Sequence, residues 1–380
     1  MQVFVEKIIR PKYACRNCEG TEEEEKPVVR IAPVEPSIVP KGIASPSLLS
    51  TVITYKFERH LPYYRQEQMY EQIGADISRQ DMSNWQQKVY ETLTPLFELL
   101  KRAVKSGPVI QMDETTVQVI GEETRADTQK SYMWLARGGP ADKKVIWYEY
   151  HPTRAAYNAK AFLEGYSGYL QTDGYSGYGT AIEGNSGIIH VGCFAHARRK
   201  FFEAGKIGKQ CLSAKEGIKY IRKLYDIEDV LRGSWEKDKD NEKFVRKRKT
   251  ETEPVLKQFK AWLEKRNAEV LPTSLLGKAI HYSLSQWDKL TAYLESPYLT
   301  PDNNACENSI RPFVLGRKNW LFCQSRGGAE SSCGMYTLIE TAKQNGLVAF
   351  DYLMALFIKA PVAKNVADWI KLLPWNIFSP

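Results

Sequence analysis

No stretch of this chain approaches the ~18 consecutive apolar residues that would carry it across a bilayer. The N-terminus also lacks the charged, apolar and small-residue zones of a secretory signal. Both absences predict a cytoplasmic protein with no membrane partner. Cysteine is scarce: seven in 380 residues, an odd number, too scattered for a disulfide framework. That usage fits a reducing compartment and predicts that Cys193, Cys211, Cys306, Cys323 and Cys333 are small buried or half-buried residues. No glycine-rich phosphate loop of the P-loop type and no nucleophile-elbow sequence occur, so ATP-driven work and Ser/His/Asp catalysis have no carrier. No internal repeat is apparent.

What the chain does have is ample apolar material and an excess of positive charge. With 43% hydrophobic and 26% charged residues it is globular in composition, and its length leaves room for roughly two or three domains. Net charge is +8 and the pI near 8.9. The excess comes from clusters such as Arg198-Arg-Lys200 and Arg246-Lys-Arg-Lys249, as expected for a polyanion partner, with a solvated basic surface as the alternative.

Residues 1–20 carry Cys15 and Cys18 as a CxxC pair, half of the four ligands a structural zinc needs, and no second pair lies nearby. Either partner cysteines belong upstream of Met1 or the pair is idle; the expectation is a partial zinc-ribbon remnant without metal, Zn²⁺ being the alternative. Residues 21–46, acidic and then rich in proline, read as an extended linker. Residues 47–105 read as helical: Pro62 opens one helix, Gly74 sits in a turn, Ser78 caps the next and Thr94-Pro95 restarts a third. A helix-turn-helix presenting Arg79, Gln80 and Asn84 to DNA, or a bundle packing Tyr70, Ile73, Met82 and Trp85, fits this segment equally well.

From Val109 the period changes to alternation, predicting strands near 109–120, 131–137 and 143–150, a helix near 154–164, and strands near 168–173 and 187–192. Residues 106–205 thus form the first part of a core. Residues 206–300 read as an α-helical insertion, 301–345 as the second part of the core with a short helix at Glu307, and 346–380 as a C-terminal helical segment.

Three acids stand out: Asp113 in an alternating strand, Asp173 at a glycine turn after another strand, and Glu307 on the late helix. Converging carboxylates offer oxygen ligands suited to Mg²⁺ or Mn²⁺, and two such ions about 3.5–4 Å apart can clamp both oxygens of a phosphodiester displacement. An acid on the first strand, one after the fourth strand and one on a late helix is the order of ribonuclease-H-like nucleotidyl transferases. For Glu307 the alternative is a surface ion pair with Arg311, four residues on. Arg198, Arg199, Arg311, Arg317 and Lys318 are candidates for holding backbone phosphates. His196 is a candidate for ordering the scissile phosphate or a water, with plain helix packing as the alternative. Trp320 and Phe322 read as core rather than as stacking platforms.

Several motifs make the resemblance specific: Gln111-Met-Asp-Glu-Thr115, Gln171-Thr-Asp-Gly-Tyr-Ser-Gly-Tyr178, Gly192-Cys-Phe-Ala-His-Ala-Arg-Arg-Lys-Phe201, Asn303-Asn-Ala-Cys-Glu-Asn-Ser-Ile-Arg-Pro312 and Gly316-Arg-Lys-Asn-Trp-Leu-Phe322. The chain resembles bacterial transposases of the insertion-sequence-66 family over nearly its whole length, including the closing Leu373-Pro-Trp-Asn376. The resemblance implies a DDE transposase with Asp113, Asp173 and Glu307 as its acidic triad. It implies an α/β, ribonuclease-H-like (retroviral-integrase-like) mixed sheet with a helical N-terminal region, an α-helical insertion before the glutamate and a helical C-terminal region. It further implies Mg²⁺ (or Mn²⁺), terminal inverted repeats and target DNA as substrates, a homo-oligomer on DNA, and accessory proteins of the same element. Longer family members begin with a complete zinc ribbon, so this chain reads as N-terminally truncated. The rival expectations are a catalytically impaired DNA-binding remnant and a ribonuclease-H-like nuclease that only hydrolyses.

Overall fold

The computed structural model describes residues 2–14, 29–123, 125–206 and 211–379. Strands β1 (Lys12–Ala14) and β2 (Val29–Ile31) pair antiparallel. Cys15 and Cys18 lie outside the described residues. Strand β2 falls inside the segment expected to be an extended linker: Val29, Arg30 and Ile31 lie between Pro27 and Pro33 and keep the N–H donors that a ladder needs. The end of that segment is docked as well, with Ile38 fully buried and its carbonyl accepting from Thr92 Oγ1 at 3.1 Å.

Four helices follow: α1 (Pro46–Phe57), α2 (Tyr63–Gln72), α3 (Arg79–Thr92) and α4 (Thr94–Val104). Their punctuation is that of the sequence. Pro62 precedes α2, Gly74 takes φ +75° in the turn, and Ser78 caps α3 in a capping box with Asp81. Tyr70, Met82 and Trp85 are buried as a bundle requires, but Ile73 is 48% exposed because it lies past the last turn of α2, where the chain swings away at Gly74. Arg79, Gln80 and Asn84 are exposed. The inner face of α3 is committed to the protein, where Gln86 Nε2 reaches Ser331 Oγ at 2.6 Å.

The sheet comes next: β3 (Val109–Gln118), β4 (Lys130–Gly138), β5 (Val145–His151), helix α5 (Ala156–Leu163), β6 (Gly168–Gln171), helix α6 (Ser176–Ile182) and β7 (Ile188–Val191). Its order is β5-β4-β3-β6-β7, with β3, β4 and β5 antiparallel and β3, β6 and β7 parallel. Helix α7 (Phe194–Ala204) leaves the end of β7. The segment expected to be a helical insertion contains α8 (Cys211–Asp238), α9 (Asn241–Glu269), α10 (Leu275–Ser285) and α11 (Trp287–Thr291). The chain closes with α12 (Asn304–Trp320), α13 (Arg326–Gln344), α14 (Ala349–Lys359) and α15 (Val366–Lys371). The helix at Glu307 is not short: it runs 17 residues through Pro312 and takes in much of the basic aromatic stretch.

Two apolar cores hold this together. One joins α1–α4, the sheet, α12–α14 and the C-terminal turns; the other joins α7 to the insertion. Edge strand β5 is covered by α13, whose Thr337 and Thr341 hydroxyls accept from the N–H groups of Tyr148 (3.0 Å) and Ile146 (3.1 Å). That contact satisfies groups which an open edge would leave free for another chain. The described sheet and helices make a mixed α/β fold with a helical majority. Among the described residues no single helix is long and apolar enough to cross a membrane.

Candidate active site

Register brings the first two acids level. Val109, Ile110 and Gln111 pair with Tyr169, Leu170 and Gln171, so Asp113 and Asp173 each stand two residues beyond a paired glutamine on neighbouring parallel strands. The two-residue side-chain period returns Asp113 to the face of Gln111. The glutamines lock this height: Gln111 Nε2 donates to Gln171 Oε1 at 2.8 Å, and Gln171 Nε2 donates to the Thr300 carbonyl at 2.7 Å. Beyond Asp173 the chain must turn under the ring of Tyr282 from α10. A Cβ on Gly174 would fall 2.5 Å from that ring, so any side chain there has to displace Tyr282.

Glu307 reaches the same place because the chain before α12 is tied to the sheet. Asn303 Nδ2 donates to the Met112 carbonyl at 3.1 Å, its backbone N–H reaches Cys193 Sγ at 3.3 Å, and Phe194 N–H donates to the Pro301 carbonyl at 2.9 Å. Asp302, just before the N-cap Asn303, accepts from Asn304 N–H at 3.0 Å. Glu307 then sits in the first turn of α12.

Asp113 senses the charges of the other two acids, although the carboxylate oxygens of the three do not all lie within 4.8 Å of one another. Burial raises the Asp113 carboxyl, and the negative charges of Glu114, Asp173 and Glu307 push the same way; a 2.8 Å hydrogen bond from Glu114 N–H opposes them, and the carboxyl is pushed up to about 7. Asp173 Oδ1 accepts from Tyr175 N–H at 2.9 Å. Glu307 lies 3.4 Å from Arg199 Nη2 and 3.6 Å from His196 Nδ1. Its Oε1 is buried without a hydrogen-bond partner. Burial lowers His196 below the ordinary imidazole value and pushes the Cys193 thiol up to about 12.

The other candidates scatter. Arg198 and Arg199 are exposed on α7, Arg199 beside Glu307, while Lys200 lies 4.9 Å over the Tyr282 ring. Arg311 is exposed and makes no ion pair with Glu307, whose partners come from α7. Arg317 and Lys318 are about 15 Å or more from Glu307 along the helix axis. Arg317 Nη1 binds the Thr116 carbonyl and lies 3.1 Å from Thr115 Oγ1, which ties α12 to β3. Trp320 packs edge-on against Phe313, whereas Phe322 is 42% exposed, because Leu321 turns the chain out of the helix at φ +68°. In the basic run at 246–249, Arg248 faces inward rather than to solvent: it is fully buried and holds Glu228 Oε1 at 2.7 Å and the carbonyls of Tyr293, Ser296 and Leu299. Cys193, Cys306, Cys323 and Cys333 are buried.

Several residues at the site carry little signal in the sequence. Glu114, next to Asp113, is buried on an ion pair with Arg154 and accepts from the Tyr178 hydroxyl. Arg154 also lies 3.8 Å over the Tyr175 ring. The motif Gln-Thr-Asp-Gly-Tyr-Ser-Gly-Tyr contains both tyrosines, so its aromatic spacing was a usable signal. Tyr282 and Asn303 had none strong enough to single them out.

Residues 41–331 match the transposase IS66 family, and residues 337–375 match the IS66 C-terminal element. The chain belongs to the transposase IS66 family. The family match takes in Asp113, Asp173, Glu307 and the whole insertion; the C-terminal element runs from within α13 through α15. Membership in this transposase family makes DNA the partner in general and DNA cutting and transfer the general activity. Two proteins of Sinorhizobium fredii are similar. Uncharacterized protein y4jD is 31% identical over 384 residues, 98% of this chain and 72% of its own. Uncharacterized protein y4qI is 31% identical over 382 residues, 98% of this chain and 68% of its own.

Proposed function

We propose that this chain is a DDE transposase with a ribonuclease-H-like catalytic core, which cleaves DNA at insertion-sequence ends and transfers the freed strand to target DNA. The observation that carries the reading is geometric: Asp113 and Asp173 stand level, each two residues beyond the bonded Gln111–Gln171 pair, and Glu307 lies in the first turn of the helix whose start Asn303 ties to β3. The strand order β5-β4-β3-β6-β7, antiparallel on one side of β3 and parallel on the other, supports the ribonuclease-H-like part of the reading.

The donor set fits divalent cations. The Asp113 carboxyl, raised by burial and by neighbouring negative charge, wants a neutralising cation; Arg154 is engaged by Glu114, and Arg199 reaches only Glu307. Asp113, Asp173 and Glu307 would hold Mg²⁺ (or Mn²⁺). When bound, such ions supply Lewis-acid stabilisation to the oxygens that attack and leave the phosphorus. The protein's own part is positional. The glutamine pair and Asn303 fix the acids, the exposed guanidiniums of Arg198 and Arg199 bind backbone phosphates beside Glu307, and the wall formed by Tyr282 and Tyr175 limits water on the Asp173 side.

The test is Mg²⁺-dependent cleavage and joining of DNA that carries the repeats flanking the gene at its own locus. Wild type should give cleaved and joined products, and Asp113→Asn neither. Equal products from both proteins would end this reading, and cleavage without joining would favour a hydrolytic nuclease.

A further inference from the structure

Cys193, His196 and Glu307 bring a thiol, an imidazole and a carboxylate together, one donor atom from each lying within 4.8 Å of the others. Among the described residues no other three such side chains do so. Cys193 precedes the first turn of α7 and His196 follows three residues later, a spacing that places both on one side of the helix. Glu307 approaches from α12. His196 Nδ1 and Glu307 Oε1 face one another at 3.6 Å, and both atoms are buried without a hydrogen-bond partner. A tetrahedral zinc with nitrogen and oxygen ligands at about 2.0–2.1 Å holds such a pair about 3.4 Å apart. Asn303, 1% exposed and bonded through its N–H to Cys193 Sγ, carries a further unpartnered buried oxygen, Oδ1. Native interiors seldom leave two buried polar atoms facing one another unpaired, as His196 Nδ1 and Glu307 Oε1 do, unless a ligand takes them up.

We propose that Cys193, His196 and Glu307 form a three-ligand site for Zn²⁺. Sulfur and nitrogen donors favour zinc over magnesium, which is held by oxygen. Three protein ligands leave a fourth position open for solvent or a DNA oxygen. The site shares Glu307 with the acidic triad, so zinc bound here withdraws that carboxylate from Asp113 and Asp173 and suppresses Mg²⁺-supported cleavage. That suppression rests on the function proposed above; the metal site itself does not.

Cobalt(II) serves as the spectroscopic probe, added to the full chain carrying Cys15→Ser and Cys18→Ser so that the N-terminal pair contributes nothing. A single Co²⁺ should bind with a near-ultraviolet thiolate-to-cobalt charge-transfer band, and Zn²⁺ but not excess Mg²⁺ should displace it. Cys193→Ser, nearly isosteric at its buried position, should abolish the band and weaken binding more than about tenfold, the lower end of what losing even a supporting hydrogen bond costs a metal site. His196→Gln, at a partly buried position, should weaken binding by a similar factor while the band persists. Glu330→Gln, a carboxylate on α13 that pairs with Arg326 and belongs to neither site, should bind cobalt as the parent does. Absence of the band in the parent, or a band unchanged by Cys193→Ser, overturns the proposal. Cobalt binding of the expected kind in a protein that cleaves no DNA would leave this site standing and remove only the transposase reading.

Discussion

Replacing Asp113 with asparagine should make the metal-free protein more stable at neutral pH while removing its DNA cleavage. In the folded chain the carboxyl is raised from its ordinary 3.8 to about 7, first by burial and then by Glu114, Asp173 and Glu307. A raised carboxyl means that the folded state holds its proton more tightly than the unfolded one, so folding stability falls as pH climbs from the lower value to the higher and is flat above it. The difference, 7 − 3.8 ≈ 3, corresponds at about 1.4 kcal/mol per pH unit to roughly 4 kcal/mol of penalty at pH 8. At pH 4.5 the same reckoning leaves about 1 kcal/mol. Asparagine keeps the oxygen that accepts the Glu114 N–H and carries no charge, so the gain over wild type should grow by about 3 kcal/mol between those two conditions. Urea unfolding in chelator at pH 4.5 and pH 8 measures it. Added Mg²⁺ should then stabilise wild type far more than the variant. An equal effect of the substitution at both pH values, or a loss of stability at pH 8, would refute the argument that the acids repel one another in the folded protein.

Two further outcomes follow from the contacts around the site. Arg248→Met, which strips a fully buried guanidinium from Glu228 and from three carbonyls, should destabilise the protein by about 3–5 kcal/mol; a denaturation midpoint within error of wild type would contradict it. Gln171→Leu leaves Gln111 Nε2 without its acceptor and should cost about 1–3 kcal/mol, with Mg²⁺ affinity reduced about 10–100-fold as for a lost supporting contact. Thermal shift with and without Mg²⁺ reads both effects, and unchanged Mg²⁺ affinity would mean that the glutamine pair does not position the acids.

Local rules were legible where local rules decide. Pro62, Gly74, Ser78 and Thr94-Pro95 punctuate α1–α4 where their backbone preferences place them, and alternation located five strands of the sheet to within a few residues. The element carrying each acid could be read from its own setting: strand for Asp113, glycine turn for Asp173, helix for Glu307. What surrounds them could not. Glu307 has Arg311 as its natural neighbour on the helix, yet its partners come from α7, more than a hundred residues earlier, because the Thr300–Asn304 segment is bound to β3, β6 and the start of α7. Arg248 looks like surface charge in a run of four cations, and only the packing of two long helices against the turn at 293–299 shows it facing inward. Strand β2 is hidden in the sequence by the surrounding prolines, although the three residues that pair keep their N–H donors between Pro27 and Pro33.

The paired arginines of the two long helices have a consequence for anyone wishing to prune this protein. Arg232 and Arg248 grip the carbonyls of residues 293, 296, 297 and 299, immediately upstream of the stretch that delivers Glu307, while Tyr282 closes over Gly174. Excising the helical segment to obtain a minimal fragment would leave the glutamate on an unmoored helix start and open the flank of Asp173 to bulk water. A compact derivative has to retain both arginine-bearing helices, and an intact insertion is the scaffold from which variants should be built.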